Sequence, residues 1–259
     1  MKGINRKLVA MCLLFVFGFN AMATEEEKVE FEFTADYNGK YIWRGQNLND
    51  DPVFQPGLSA TFKGLTVGIW GSMDTTDIYD SSSEFTEVDY YLDYSADVPG
   101  IEGVGFSLGV IYYDFPNTTY NPTTEIYWGL SVDTFLSPSI TFYQDVYHAD
   151  GLYVSGSIGH SIDLGEDAPF GIDLGASLGW GDGTFNKYYW ADSVTEVPIS
   201  DNAFSDLGLS AAFPFEVGGW SVTPSVNYTI LLDKDIADSD WYSTDSSEFY
   251  VGIGLSKAF

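Results

Sequence analysis

Apolar and polar positions alternate with period two along most of this chain, in short runs broken by Gly, Pro, Asn and Asp. The last thirteen residues show it most clearly. Phe249, Val251, Ile253, Leu255 and Phe259 fall on one face; Tyr250, Gly252, Gly254, Ser256 and Ala258 fall on the other. Successive side chains of a strand point to opposite sides, so this segment offers apolar groups one way and small or polar groups the other. Residues 170–180 repeat the pattern, with Ile172, Leu174, Ala176, Leu178 and Trp180 against Gly171, Asp173, Gly175, Ser177 and Gly179. Such faces suit a wall with lipid outside and water inside. The edge of a soluble sandwich is the competing reading.

The same periodicity predicts about twelve strands: residues 29–43, 53–62, 65–72, 84–95, 104–113, 125–133, 139–147, 152–164, 170–180, 203–213, 220–231 and the closing segment. In the first, Phe31, Phe33, Ala35, Tyr37 and Tyr41 oppose Glu32, Thr34, Asp36, Asn38 and Lys40; in the fourth, Val88, Tyr90, Leu92 and Tyr94 oppose Glu87, Asp89, Tyr91 and Asp93. Acids at this density are costly in a dry core and tolerable in a wet lumen. Lys63-Gly64 reads as a two-residue hairpin turn. The connections sort by parity: residues 45–52, 74–83, 114–122, 181–202 and 233–246 are long, whereas 63–64, 97–103, 135–138, 165–169 and 214–219 are mostly shorter. Only the brief link 148–151 breaks the rule. A sandwich has no reason to sort loops this way, so the expected fold is all-β, a single antiparallel transmembrane barrel of about twelve strands with both termini periplasmic.

The amino end supplies an address. Lys2, Arg6 and Lys7 precede the apolar run 8–19, and Ala21-Met-Ala23 follows as a small-x-small cleavage site, so residues 1–23 read as a secretory signal peptide and 24–259 as the barrel. The run is too short to span ~30 Å of hydrocarbon, which takes ~20 helical residues. Cys12, the one cysteine, lies in this leader, which leaves the mature chain without a thiol or a disulfide. Removing the leader leaves 10 − 3 = 7 Lys and Arg against 38 Asp and Glu, a net charge of −31. Phosphate binding needs the opposite sign, so nucleic acid is excluded as a partner. The 27 glycines and 7 Trp, 18 Tyr and 19 Phe argue against a disordered acidic chain and for tightly packed strands with aromatic girdles.

Within the first four strands, Asp36-Tyr37 followed by Tyr41-Ile-Trp-Arg44-Gly45, then Phe54-Gln55-Pro-Gly57, Gly68-Ile-Trp70-Gly-Ser72 and Glu87-Val-Asp89-Tyr90, resemble the outer-membrane porins called the TorF family. That resemblance covers about 60 residues in its motifs and matches elsewhere only in strand rhythm. It implies an outer-membrane barrel with a transport role and brings no catalytic or binding residue with it. The terminal Phe259 likewise resembles the signal by which outer-membrane barrels are recognised by their assembly machinery, although Lys257 stands where an aromatic or aliphatic residue is usual.

Arg44, the one arginine after the leader, is either part of a charge-selecting constriction or a clamp for a loop folded into the mouth. With Lys40 it faces the inward acids Glu32, Asp36, Glu87, Asp89, Asp93, Asp173 and Asp206, which either line a cation-attracting pore or form a solvated face inside a filled barrel. The crowded carboxylates of residues 233–240 lack the Gly and spacing of an EF-hand, so a solvated loop is favoured over a Ca²⁺ site. His148 and His160 are far apart, and His160-Ser161 lacks the third polar group that a hydrolase triad requires. No metal, cofactor or catalytic residue is expected. The expected function is passive diffusion of small hydrophilic solutes across a bacterial outer membrane, with weak cation selectivity; a closed structural or adhesion barrel acting through its acidic loops is the alternative, and a lipid hydrolase a distant third. Its expected partners are outer-membrane lipids, the assembly machinery and the solutes.

Overall fold

A computed structural model of the chain describes residues 28–76, 83–162, 164–165, 168–192, 194–241 and 244–259. The expected leader, with Cys12 and the cleavage site after Ala23, and part of the loop 74–83 lie outside the described residues. In chain order the strands are β1 (Glu30–Asn38), β2 (Tyr41–Trp43), β3 (Gln46–Asn49), β4 (Val53–Phe62), β5 (Leu65–Asp74), β6 (Phe85–Asp97), β7 (Val104–Asp114), β8 (Thr123–Val132), β9 (Ser139–Asp145), β10 (Leu152–Ile162), β11 (Ile172–Gly181), β12 (Ala203–Ala212), β13 (Phe215–Val217), β14 (Trp220–Leu231) and β15 (Ser247–Ala258). Among the described residues two short helices, α1 (Gly183–Tyr189) and α2 (Lys234–Ala237), sit in loops.

Every neighbouring pair in the large sheet is antiparallel, and the order runs β12-β11-β10-β9-β8-β7-β6-β5-β4-β1-β15-β14, with β14 pairing back onto β12. The sheet therefore closes as a twelve-stranded barrel, β13 being a short continuation of β12 along β14. Closure follows from the outer face. Leu58, Ile69, Leu92, Leu108, Trp128, Ile140, Leu174, Leu209, Val251 and Leu255 are all exposed there. An apolar belt of that extent belongs in hydrocarbon, where an open sheet edge would leave N–H and C=O groups without partners. No helix among the described residues is long and apolar enough to cross a membrane.

The inner face is lopsided. On one side aromatic rings lie across glycines of the adjacent strand: a Cβ on Gly68 would fall 2.2 Å from the Tyr91 ring, and one on Gly109 would fall 2.3 Å from the Tyr127 ring. Only glycine admits those rings. On the other side Ser155, Ser157, Gly175, Ser177, Gly208 and Ser210 line open space.

The turns near the termini are short, and Lys63 and Gly64 have the two positive φ angles, 51° and 80°, of a tight hairpin. At the far end the loops are structured. Trp190, Ala203, Leu231 and Ile236 form a small apolar core there, with Trp241 packed against it, which ties α1 and α2 to the rim. The brief link after β9 is held by one acid. Asp145 accepts hydrogen bonds from the backbone N–H groups of Tyr147, His148 and Ala149 at 2.9, 2.9 and 3.1 Å, and from the Thr123 hydroxyl at 2.6 Å. Its side chain is fully buried, so Asp145→Ala should strand several donors and cost about 1–3 kcal/mol, read as a lower denaturant midpoint of the micelle-bound barrel.

One strand differs from the sequence reading. The expected first strand, 29–43, ends as β1 at Asn38; residues 39–52 leave the wall and fold back into the barrel as the two-stranded sheet β2–β3. Tyr41, assigned to the lipid-facing side, points into the lumen, where it lines cavities.

Candidate functional site

The site is built on that inward hairpin. Trp43 pairs with Gln46 across a two-residue turn, Arg44-Gly45, with φ of 49° and 87°. These are the positive angles that hairpins with right-handed twist require, and glycine meets them at no steric cost. Gly45 is also pressed against the wall: a Cβ there would fall 2.9 Å from Leu231 and 3.0 Å from Asp206.

The turn drives Arg44 across the lumen. Its two terminal nitrogens donate to the two carboxylate oxygens of Glu125 on β8, both at 2.7 Å, and Tyr113 donates its hydroxyl to the same carboxylate at 2.8 Å. The guanidinium carbon lies 4.4, 4.5 and 4.5 Å from the ring centres of Trp43, Tyr143 and Tyr153. With 9% of the Arg44 side chain and 1% of Glu125 exposed, the pair is desolvated, and only a bidentate geometry with ring faces around it offsets that cost. Burial alone would lower the Arg44 pKa, but the Glu125 charge outweighs it and the guanidinium is held firmly protonated.

Further contacts pin the rest of the hairpin. Lys40 bridges Asp50 at 2.5 Å and Glu248 at 2.7 Å, which closes the hairpin base and ties it to β15. The hydrogen bond to Lys40 depresses the Asp50 pKa. The Gln46 amide donates to the carbonyl oxygen of Tyr189 in α1, the Asn47 backbone N–H to the Thr244 hydroxyl at 3.1 Å, and the Asn49 amide to Asp74 on β5 at 2.7 Å. Asp182 caps α1 by accepting from the Phe185 N–H at 2.7 Å, and the tilted rings of Phe185 and Tyr189 lie 4.5 Å apart beside Trp43.

The predicted acids fall in two groups. Glu87, Asp89 and Asp206 surround the hairpin: Glu87 is 6% exposed, one Asp89 oxygen is buried with no hydrogen-bond partner, and Asp206 accepts from the hydroxyls of Tyr153 at 3.1 Å and Ser205 at 2.7 Å. Glu32, Asp36, Asp93 and Asp173 lie along the strands toward the termini. Asp36 packs beside Gly254, and Asp93 accepts from the Tyr127 hydroxyl at 2.6 Å. Glu32 shares the alternation of Asp36, and Asp173 that of the lumen-lining Gly175 and Ser177. Lys40 and Arg44 were expected on or beside the wall; both instead belong to the hairpin, because the chain turns inward after Asn38.

Sequence reasoning passed over Glu125, Tyr143, Tyr153 and Glu248. The signal for Glu125 was present, since it opposes Ile126, Trp128 and Leu130 in phase on an otherwise apolar-out strand. Arg44-Gly45 was likewise the same kind of two-residue turn as Lys63-Gly64. Elsewhere, His160 on the outer face has its Nδ1 2.9 Å from the Phe135 carbonyl oxygen and its ring 4.1 Å from that of Phe135. Asp233, in the crowded acidic loop, caps α2 by accepting from the N–H groups of Asp235 and Ile236. Among the described residues no three His, Cys, Asp or Glu gather to hold a metal.

Space remains on both sides of the hairpin. One cavity of about 650 Å³ lies between Ile42, Arg44 and Gly45 and the Ser/Gly wall of β10–β12; another of about 350 Å³, bounded by Asp36, Lys40 and Tyr250, adjoins it. A third of about 580 Å³ lies between Tyr41 and Trp43 and the wall of β5–β8.

A family model described as "Bacterial protein of unknown function (Gcw_chp)" matches residues 23–215. Among solved structures, a KdgM porin aligns over 89% of this chain and 99% of its own, at 8% identity and a TM-score of 0.52. A NanC porin aligns over 88% and 98%, at 11% identity and a TM-score of 0.50. At these identities the likeness concerns the fold: a closed barrel of porin type. A search of curated proteins gave no sequence match.

Proposed function

Because the chain belongs to the Gcw_chp family of bacterial proteins of unknown function, we propose from its geometry that it is an outer-membrane channel for passive diffusion of small hydrophilic solutes, constricted by the β2–β3 hairpin and weakly selective for cations. The observation that carries this reading is a closed barrel with an apolar outside and an acidic inside, in which cavities continue on either side of the hairpin. The porin names of the structural neighbours support it. In this reading Glu32, Asp36, Glu87, Asp89, Asp93, Asp173 and Asp206 line the pore with Lys40 and Arg44, both termini face the periplasm after removal of the leader, and Phe259, whose ring is exposed beyond its backbone pairing with Phe31, is offered to the assembly machinery.

The motifs that resemble TorF porins gather round the hairpin. Tyr41 to Gly45 forms it, Trp70 packs on Tyr41 at 5.8 Å, Gln55 donates to Ser72 at 3.2 Å, and Glu87 and Asp89 line the wall behind.

Both Arg44 and Lys40 are neutralised by carboxylates, so the remaining acids should set the lumen potential. In a planar bilayer the purified barrel should conduct, and a KCl gradient near 0.1 M should give a cation-directed reversal potential that shrinks at 1 M as the Debye length falls from ~10 to ~3 Å. An anion-directed potential would reject the selectivity. Absence of current would favour the second reading, a closed structural barrel, for which the depth of the Arg44 clamp is the specific observation.

A further inference from the structure

We propose that the cavity between the hairpin and the β5–β8 wall binds a small organic cation, a solute carrying a guanidinium or amidinium group on an apolar body. The channel reading explains how such a solute would arrive; the binding itself does not depend on it.

The cavity, about 580 Å³, has the size of a small-molecule site, roughly 300–1,000 Å³. Its lining includes Tyr41, Trp43, Tyr113, Phe115, Tyr120 and Tyr189, and no Lys, Arg or His lines it. Two acids do. Asp74 is already engaged, accepting from Asn49 at 2.7 Å and from the Thr86 hydroxyl at 3.3 Å. Glu87 accepts from the Tyr41 hydroxyl and is hydrogen-bonded to Asp89, two residues farther along the same face of β6, whose other oxygen is buried with no hydrogen-bond partner; no cation is paired with these two acids among the contacts described. Arg44, the cation of the hairpin turn, gives both terminal nitrogens to Glu125.

An aromatic box over carboxylates without a counter-charge is attractive to a cation and repels an anion. The same barrel already displays the recipe, since Arg44 sits among Trp43, Tyr143 and Tyr153 against Glu125. Neutral saccharides also stack on rings, but they leave the hydrogen-bonded pair Glu87 and Asp89 without a counter-charge. Entry is open at the exposed rim formed by Asn117, Thr119 and Tyr120.

The test uses the folded full-length barrel in detergent micelles, titrated calorimetrically with benzamidinium chloride, with benzamide as the neutral isostere and maltose as a neutral sugar. Saturable benzamidinium binding is expected, about tenfold or more tighter than benzamide, the equivalent of about 1.4 kcal/mol. Glu87→Gln should weaken it by a similar factor, and Tyr120→Ala, a rim change that leaves the wall intact, should weaken it measurably. Glu102→Gln, in a turn at the opposite end, should leave it unchanged. Equal binding of benzamide or maltose, or indifference to both Glu87→Gln and Tyr120→Ala, overturns the proposal. A barrel that binds benzamidinium but passes no current would reject the channel and keep the site; a conducting barrel without saturable binding would do the reverse.

Discussion

Arg44→Ala should destabilise the folded barrel by about 3–5 kcal/mol, because it leaves the Glu125 carboxylate buried without its counter-charge. The loss reaches beyond one ion pair. Arg44 also holds together rings contributed by the hairpin, β9 and β10, and Glu125 would keep only the Tyr113 hydroxyl among the contacts described. Lys cannot replace it, since an ammonium is a point donor that cannot span both carboxylate oxygens, so Arg44→Lys should recover only part of the loss. The double change Arg44→Met with Glu125→Met should be far milder than either single change, because replacing a buried pair by apolar side chains of similar volume is often close to neutral. Denaturant unfolding in micelles, followed by tryptophan fluorescence and by the gel shift between unheated and boiled samples, checks each of these variants. Additive losses in the double variant would mean that the two residues act separately and that the clamp is misassigned.

Shortening the hairpin should raise single-channel conductance several-fold. Residues 41–49 supply the Tyr41 and Trp43 rings and the Arg44 guanidinium that cross the lumen, whereas the wall beside them is Ser and Gly on β10–β12. Tyr41 and Asn49 are paired across the base and Lys40 bridges Asp50, so two small residues in place of 41–49 would keep the base closed while clearing the obstruction, and Glu125, which loses Arg44, would face the widened lumen. Reversal potentials should then report the wall acids with Lys40 as the remaining cation of the constriction, and cation preference should rise at low salt. Unchanged conductance in a variant that still migrates as a folded barrel would mean that solutes pass elsewhere or that the lumen is closed by the loops at the far rim, where Trp190 and Ile236 are packed.

Legibility in the sequence tracked the range of the interaction. Strand number, the outward faces and the sorting of loops were readable because each depends on neighbours two residues apart or on a nearby turn. The inward phase of Glu87, which lines a cavity of the lumen, was readable for the same reason. Arg44 was singled out by its rarity, with a clamp among the two readings given, but its partner was missed. That partner lies 81 residues away, on a strand whose phase alone marks Glu125 as inward. The first strand was extended too far because Tyr41 and Trp43 keep the apolar phase of β1 after the wall has ended. Period two cannot tell a strand in the wall from a hairpin folded inside it.

The sequence by itself therefore determined an acidic, alternating chain that must close into a barrel, because period-two faces and unpaired backbone groups leave no other way to sit in hydrocarbon. Only the tertiary structure decided what fills the barrel. Arg44 meets Glu125 across 81 residues and Lys40 meets Glu248 across 208, contacts that exist only once twelve strands have closed and placed opposite walls within reach of one inward turn. Local alternation fixes which side of a strand is wet; the closed ring fixes which wet groups face each other.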